Sequence, residues 1–328
     1  MVRDLTQGKP TFRIMSFTIP ILLGNLLQQI YNLTDSIIVG RFVGKDAFAA
    51  VGSTGCLNFL VIGFMLGLSS GLCIPIAHRF GAGDYVRMRR RVASAVYIAA
   101  AVTVILTVIT VLCTRQLLIL MQTPENILET AIGYIRIIFL GIIATILYNL
   151  PANLLRSLGD SKTPLYFLVV SAILNIVLDL VFVLVFSMGA EGTAVATVLS
   201  QFVSGFLCII YMMKKYPILH FQKGEWRVTR KELRSSFTLG VPMGLQFSVT
   251  AIGSVVLQSA VNTLGSDIVA SVNAAGKVNT FLNQPMEALG LTMSTYCGQN
   301  LGAGKLDRIK AGVKNGLIIT VVMSILCG

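Results

Sequence analysis

The sequence predicts an all-α membrane protein. The expected architecture is a polytopic helical bundle of two six-helix halves related by a parallel repeat, with the second half incomplete across these 328 residues. Three observations predict it. Apolar residues form 55% of the chain and charged residues 12%, against roughly 45–50% and ~25% in soluble domains. Apolar runs long enough to cross a ~30 Å hydrocarbon layer recur along the whole length. Residues 44–87 also align without a gap to residues 265–308, with twelve identities. So few charges cannot cover a water-soluble globule, and so apolar a chain is not disordered.

The first run, 14–39, is too long for a cleaved leader and lacks a small-x-small site closing a short core, so it reads as a retained span. It contains Pro20, which removes a backbone hydrogen bond and permits a bend. The second run, 47–77, leads to a Gly81-Ala82-Gly83 turn. Runs at 93–113, 130–153, 164–187 and 190–213 complete the first half, residues 1–213. Residues 214–234 are basic and mixed and contain the single tryptophan, Trp226. They read as an amphipathic tether resting on anionic lipid headgroups. Residues 235–328 then supply spans 235–262 and 268–299 and the start of another from about 313. Many runs exceed a minimal span, so tilts or kinks are expected.

The net charge of +12 is positional. Alternate loops, beginning with the N-terminus, hold 21 of the 26 basic residues, Arg156 and Lys162 of the fourth-to-fifth loop among them. The opposite loops hold Arg41, Lys45, Arg115 and Arg136. This bias predicts a cytoplasmic N-terminus and removes the motive for a nucleic-acid partner. The six cysteines show no metal-ligand spacing and read as small apolar residues.

The repeat carries Gly44, Asp46, Ala49, Val51, Gly55 and Asn58 onto Gly265, Asp267, Ala270, Val272, Gly276 and Asn279, and Gly81-Ala82-Gly83 onto Gly302-Ala303-Gly304. Six spans separate the copies, so both point the same way. Asp84 makes the first turn a Gly-Ala-Gly-Asp sequence, resembling an intramembrane aspartyl protease signature. Its repeat partner is Lys305, so the acid does not recur and no enzyme is expected. No catalytic residues and no cofactor are assigned.

Three acids fall inside spans: Asp35, Asp179 and Glu287. Intramembrane charge is costly and marks function. Counting back from the span ends places Asp35 and Asp179 about 9–14 Å below one surface. Asn175 shares the face of Asp179, and Thr193 and Thr197 fall in the same layer. Carboxylate, amide and hydroxyl oxygens suit a hard monovalent cation, and paired carboxylates suit a proton. The residues alone do not choose between these two cargoes, and Asp35 and Asp179 could instead reach the interface or hold helices together. Lys277 and Glu287, specific to the second copy, and Thr193 read as lining a cavity.

The stretches YNLTDSIIVGRFVGKDAFAAVG, NLLRSLGDSKTPL and QPMEALGLTMSTYCGQNLGAGK resemble the multidrug and toxic compound extrusion (MATE) transporters, in their DinF-like bacterial and archaeal branch. That resemblance implies two bundles around a cavity open alternately to either side. It implies export of organic, often cationic and amphiphilic, compounds in exchange for H+ or Na+. It also implies an ion site at Asp35, Asn175, Asp179 and Thr197 and a bending first helix at Pro20. Organic cations and membrane lipids are the expected partners, and the plasma (inner) membrane is the expected location of such an antiporter. A lipid-linked saccharide flippase of the same plan, and a channel, are the competing readings. One lysine against three acids in the spans favours a cationic cargo.

Overall fold

The computed structural model describes residues 4–262 and 266–327, with side chains described for all of these except 255, 258–262, 266–271, 273, 274, 277, 326 and 327. Helix is the regular structure throughout the described residues. Eleven α-helices follow in order: α1 (Pro10–Ile38), α2 (Lys45–Ser53), α3 (Gly55–Gly81), α4 (Tyr85–Leu120), α5 (Glu125–Leu140), α6 (Ile142–Ser157), α7 (Lys162–Leu180), α8 (Gly189–Lys215), α9 (Arg230–Asn262), α10 (Ser266–Gly302) and α11 (Leu306–Cys327). Among the described residues five helices are long and apolar enough to cross a membrane, and the α5–α6 pair makes a sixth. Their alternation gives the bundle a basic face, carrying the α3–α4, α6–α7 and α10–α11 turns, and an opposite face.

Two expected spans are broken, each for a local reason. The run 47–77 divides into α2 and α3 at Thr54, whose amide and hydroxyl both bond back to the Val51 carbonyl, at 3.2 and 2.8 Å. This tightens the last turn and ends α2. The run 130–153 divides into α5 and α6, bent by 42° at Gly141. A β-carbon at Gly141 would collide with Val198 of α8, so close packing holds the chain at this glycine. Pro20 is buried within α1, and the helix continues through it to Val43 by way of a π-helical turn, Val39–Val43. Arg136 lies inside α5 and Arg156 in the last turn of α6, so neither is a loop residue.

The repeat is visible in geometry. Gly83 and Gly304 adopt φ of +70° and +69°, the left-handed region that favours glycine. Both turns then close identically: Asp84 N–H donates to the Arg79 carbonyl at 3.1 Å, and Lys305 N–H to the Asn300 carbonyl at 2.9 Å. This is the helix-ending pattern in which a left-handed residue lets two orphan carbonyls be satisfied. The copies also touch reciprocally. A β-carbon on Gly81 would strike the Gln299 carbonyl, and one on Gly302 would strike the His78 carbonyl. Position 299 is the repeat equivalent of 78, as 302 is of 81, so an approximate two-fold axis passes between these contacts. Farther along, Gly67 and Gly71 admit the α9 backbone at Met243 and Gly240. Asp84 caps α4 by accepting from Arg87 N–H at 3.1 Å, a structural role for the acid of the protease-like sequence.

The N-terminal segment is tied to the same face. Leu5 N–H donates to Gln299 Oε1 at 3.0 Å, and Gln299 Nε2 donates to the Ser157 carbonyl at 2.8 Å. Arg308 donates to the Gly8 and Leu5 carbonyls, and Lys305 to that of Thr6.

The linker 214–234 is anchored on α4. After a short turn at Pro217–Leu219 it is not helical again until α9. Glu225 pairs with Arg89 of α4 through two bonds of 2.6 and 2.7 Å, and both side chains are buried. Trp226 stacks on Phe221 at 4.2 Å between centroids and meets Tyr97 edge-on. The hydrogen bond from Arg89 holds the Glu225 carboxyl below its ordinary range. Its stabilising contribution is fully present above the ordinary glutamate pKa and is lost as pH falls through the lowered value. Glu225→Gln is expected to cost about 3 kcal/mol, because it strands a buried guanidinium. Faster tryptic cleavage after the exposed Lys223 and Arg227 is the readout.

Candidate ion-binding site

Asp35 lies one turn before the end of α1, and Asp179 next to the end of α7. Each acid is followed within four residues by a π-helical turn, Val39–Val43 and Val181–Val185 respectively. Such turns widen the helix and recur at functional sites. Thr193 and Thr197 sit one and two turns into α8, which starts at the same end. The three helix ends therefore converge in one layer near the opposite face.

Within that layer four of the predicted residues meet. Thr197 Oγ1 lies 3.4 Å from Asp35 Oδ2, and Asn175 Nδ2 donates to Thr197 Oγ1 at 3.3 Å. The Asp35 and Asp179 carboxyl groups are neighbours in this layer. Asp179 is 0% exposed and Asn175 1%. Thr193 supports the site from behind: its carbonyl accepts from Thr197 Oγ1 at 2.9 Å, and its own hydroxyl donates to the Ala190 carbonyl.

The oxygen accounting is informative. Asp35 Oδ1, Asn175 Oδ1 and both Asp179 oxygens are buried without a hydrogen-bond donor. Buried polar atoms are almost always paired, so four orphan acceptors in one place require an outside partner. Two adjacent carboxylates also cannot both stay ionised without a shared proton or a cation between them. The donor set of carboxylate, amide and hydroxyl oxygens fits a hard monovalent ion or a proton. Among the described residues there is no group of three His, Cys, Asp or Glu side chains that could hold a metal ion.

Three neighbours escaped the sequence reading. Tyr31, buried one turn before Asp35, neighbours Gln28 and Gln201. Gln201 in turn accepts from Thr145 Oγ1 at 2.9 Å. Tyr134 of α5 approaches both acids. The signal was present in the spacing: 193, 197 and 201 form one polar stripe on α8, and 31 and 35 another on α1.

The remaining predicted residues lie elsewhere. Pro20 is fifteen residues from Asp35 on α1, a separation of about 22 Å along the helix. Glu287, two residues beyond Pro285 in α10, is exposed and joins no part of the cluster. The Lys277 side chain falls outside the described residues.

Comparison with known proteins bears on this geometry. The family model described as MatE matches residues 20–181 and 242–328. The chain is 33% identical to the "Probable multidrug resistance protein YoeA" of Bacillus subtilis (strain 168), over 97% of this chain and 70% of that protein. It is 24% identical to the "Probable multidrug resistance protein NorM" of Thermotoga maritima, over 96% of this chain and 68% of that protein. Among solved structures, an outward-facing conformation of a multidrug resistance MATE family transporter superposes with a TM-score of 0.92 at 24% identity, covering 98% of this chain and 72% of that one. The bent conformation of a MATE protein superposes at 0.90 with 25% identity and the same coverage. With the family model spanning both copies of the repeat and a relative aligned along nearly the whole chain, the protein belongs to the MatE family, whose members are multidrug transporters rather than enzymes.

Proposed function

We propose that the protein is a secondary antiporter of the plasma membrane, with its N-terminus and basic face in the cytoplasm. It exports organic, cationic and amphiphilic compounds in exchange for H+ or Na+. Residues 1–213 and 235–328 act as two bundles joined by the linker 214–234, and alternating access arises as they rock about the repeat axis. The coupling ion occupies the layer formed by Asp35, Asn175, Asp179 and Thr197. Glu287 and Lys277 line the path between the bundles, and Pro20 supplies a point at which α1 bends.

The observation that carries this reading is the group of four unpaired buried oxygens on Asp35, Asn175 and Asp179. A proton converts one carboxyl into a donor for its neighbour. A sodium ion satisfies several of the oxygens together. Either event changes the charge of the layer by one unit, and that is the lever by which an ion gradient biases two arrangements of the same helices. An entering ion and a departing organic cation cannot both be neutralised by the same carboxylates. Competition of this kind couples the two fluxes.

Efflux of a fluorescent organic cation from proteoliposomes tests the proposal, with proton and sodium gradients imposed separately on the full-length protein. One gradient is expected to drive accumulation against the concentration difference. Accumulation under neither would overturn the antiport reading. Thr197→Val removes a hydroxyl from the ligand set while keeping its shape. We expect about a tenfold rise in the half-saturating ion concentration, the weight of one hydrogen bond to a charged group. The thermal midpoint should fall by a few degrees, since the buried Asn175 amide loses its acceptor.

A further inference from the structure

Arg156 is a cation inside the bundle that no described carboxylate neutralises. The ion pairs among the described residues are Arg79–Asp84, Arg87–Asp84, Arg89–Glu225 and Arg115–Glu129. Arg156 donates to Asn153 Oδ1 at 2.9 Å, and its Nε is buried without an acceptor. A guanidinium cannot shed its proton to escape this. Arg156 is part-buried, and a charge held largely out of water without a counter-charge is costly.

The guanidinium lines a cavity of about 20 Å³ between α3, α6 and α10. Three hydroxyls share its walls: Ser70 of α3 and Ser294 and Thr295 of α10. None of the three donates a hydrogen bond among the described residues, so all are free to turn inward. The cavity also sits on the repeat axis. Cys73 and Ser294 are repeat equivalents, as are Ile74 and Thr295, and all four line it. On the basic-face side it is closed by the Gly81–Gln299 and Gly302–His78 contacts and by the hydrogen bond from Gln299 to Ser157.

We propose that this cavity binds one small monovalent anion of the halide class. The guanidinium supplies the counter-charge, and the Ser70, Ser294 and Thr295 hydroxyls supply hydrogen bonds. A water molecule could fill the volume but would leave the charge standing. The volume of about 20 Å³ matches one small particle and favours a halide over phosphate or sulfate. Because the walls come from both sides of the linker, the anion binds only when the basic face is closed. It therefore stabilises that arrangement by mass action, and it does so whichever ion drives transport.

The test is thermal unfolding of the purified full-length protein at fixed sodium concentration, with chloride exchanged for gluconate. The midpoint is expected to rise saturably with chloride, by about 2–4 °C when chloride exceeds its dissociation constant severalfold. Sulfate in place of chloride at the same sodium concentration should give no saturable rise, only the gradual stabilisation general to excluded salts. Arg156→Gln should flatten the chloride response and Arg156→Lys should retain part of it. Should Arg156→Gln fail to fold, the double substitution Ser294→Ala, Thr295→Val should shift the chloride response to about tenfold higher concentration. In wild-type crystals grown in bromide, an anomalous peak is expected beside Arg156. A wild-type midpoint indifferent to chloride, or a chloride response undiminished in Arg156→Gln, would overturn the proposal.

Discussion

Replacing Asp179 with Asn is expected to lower gradient-driven efflux by about 100-fold while leaving the thermal midpoint unchanged or higher. The two halves of that expectation have one physical source. Asp179 is fully buried and neither of its oxygens has a donor. A residue that stabilised the fold would be paired, and its loss would cost stability. An unpaired buried carboxyl instead burdens the fold, so a neutral isostere relieves it. The proposed coupling depends on that same charge. Asn cannot take up a proton in this range and offers one oxygen where Asp offers two. Loss of an interaction with a charged partner is worth about 1.5–3 kcal/mol, which corresponds to roughly 10–150-fold. Asp35→Asn should act in the same direction with a smaller gain in stability, because Asp35 is only part-buried. A drop in midpoint together with retained efflux would show that the acids only join helices.

The second large effect is expected at Gly302. Its hydrogen faces the His78 carbonyl with no room for a β-carbon, and the obstructing atoms are backbone. Gly302→Val therefore cannot be absorbed by turning a side chain and must separate α10 from α3. Overpacking typically costs about 1–3 kcal/mol. Here that cost falls on the arrangement closed at the basic face. Efflux should fall by about 30-fold, and the part-buried Cys297, one turn away, should react faster with a maleimide applied from that side. Gly81→Val should reproduce the effect through its collision with the Gln299 carbonyl, because the contact is reciprocal. Gly290 serves as the control. It lies in the same helix with open space around it, and Gly290→Ala should be neutral or stabilising by about 0.5–1 kcal/mol.

The parts of this molecule that were legible in sequence are those governed by the lipid and by repetition. Hydrophobic length located the helices, and the twelve repeat identities anticipated two turns that close in the same way. The convergence of Asp35, Asn175, Asp179 and Thr197 followed from counting residues back from span ends, because a helix converts sequence distance into depth. Features decided by contact between helices were not legible. Gly141 looks like any glycine in an apolar run until Val198 is seen pressing on it. The π-helical turns after both acids leave no composition signal. Arg156 was counted as a loop residue because its α-carbon lies in the last turn of α6, although its long side chain reaches a cavity in the bundle. The anchoring of the linker was hidden for a related reason, since Glu225 and Arg89 meet across 136 residues of sequence.

The central claim is that one coupling ion and one organic cation compete for the layer containing Asp35 and Asp179. Ion release measures it directly. An organic cation that the protein transports is added to purified full-length protein in weakly buffered solution, and proton and sodium activities are followed together. We expect about one ion released per bound organic cation, and none from the protein carrying Asp35→Asn with Asp179→Asn, as competition for shared carboxylates requires. Binding of the organic cation with neither ion displaced, or displacement unchanged in the double variant, would contradict the account.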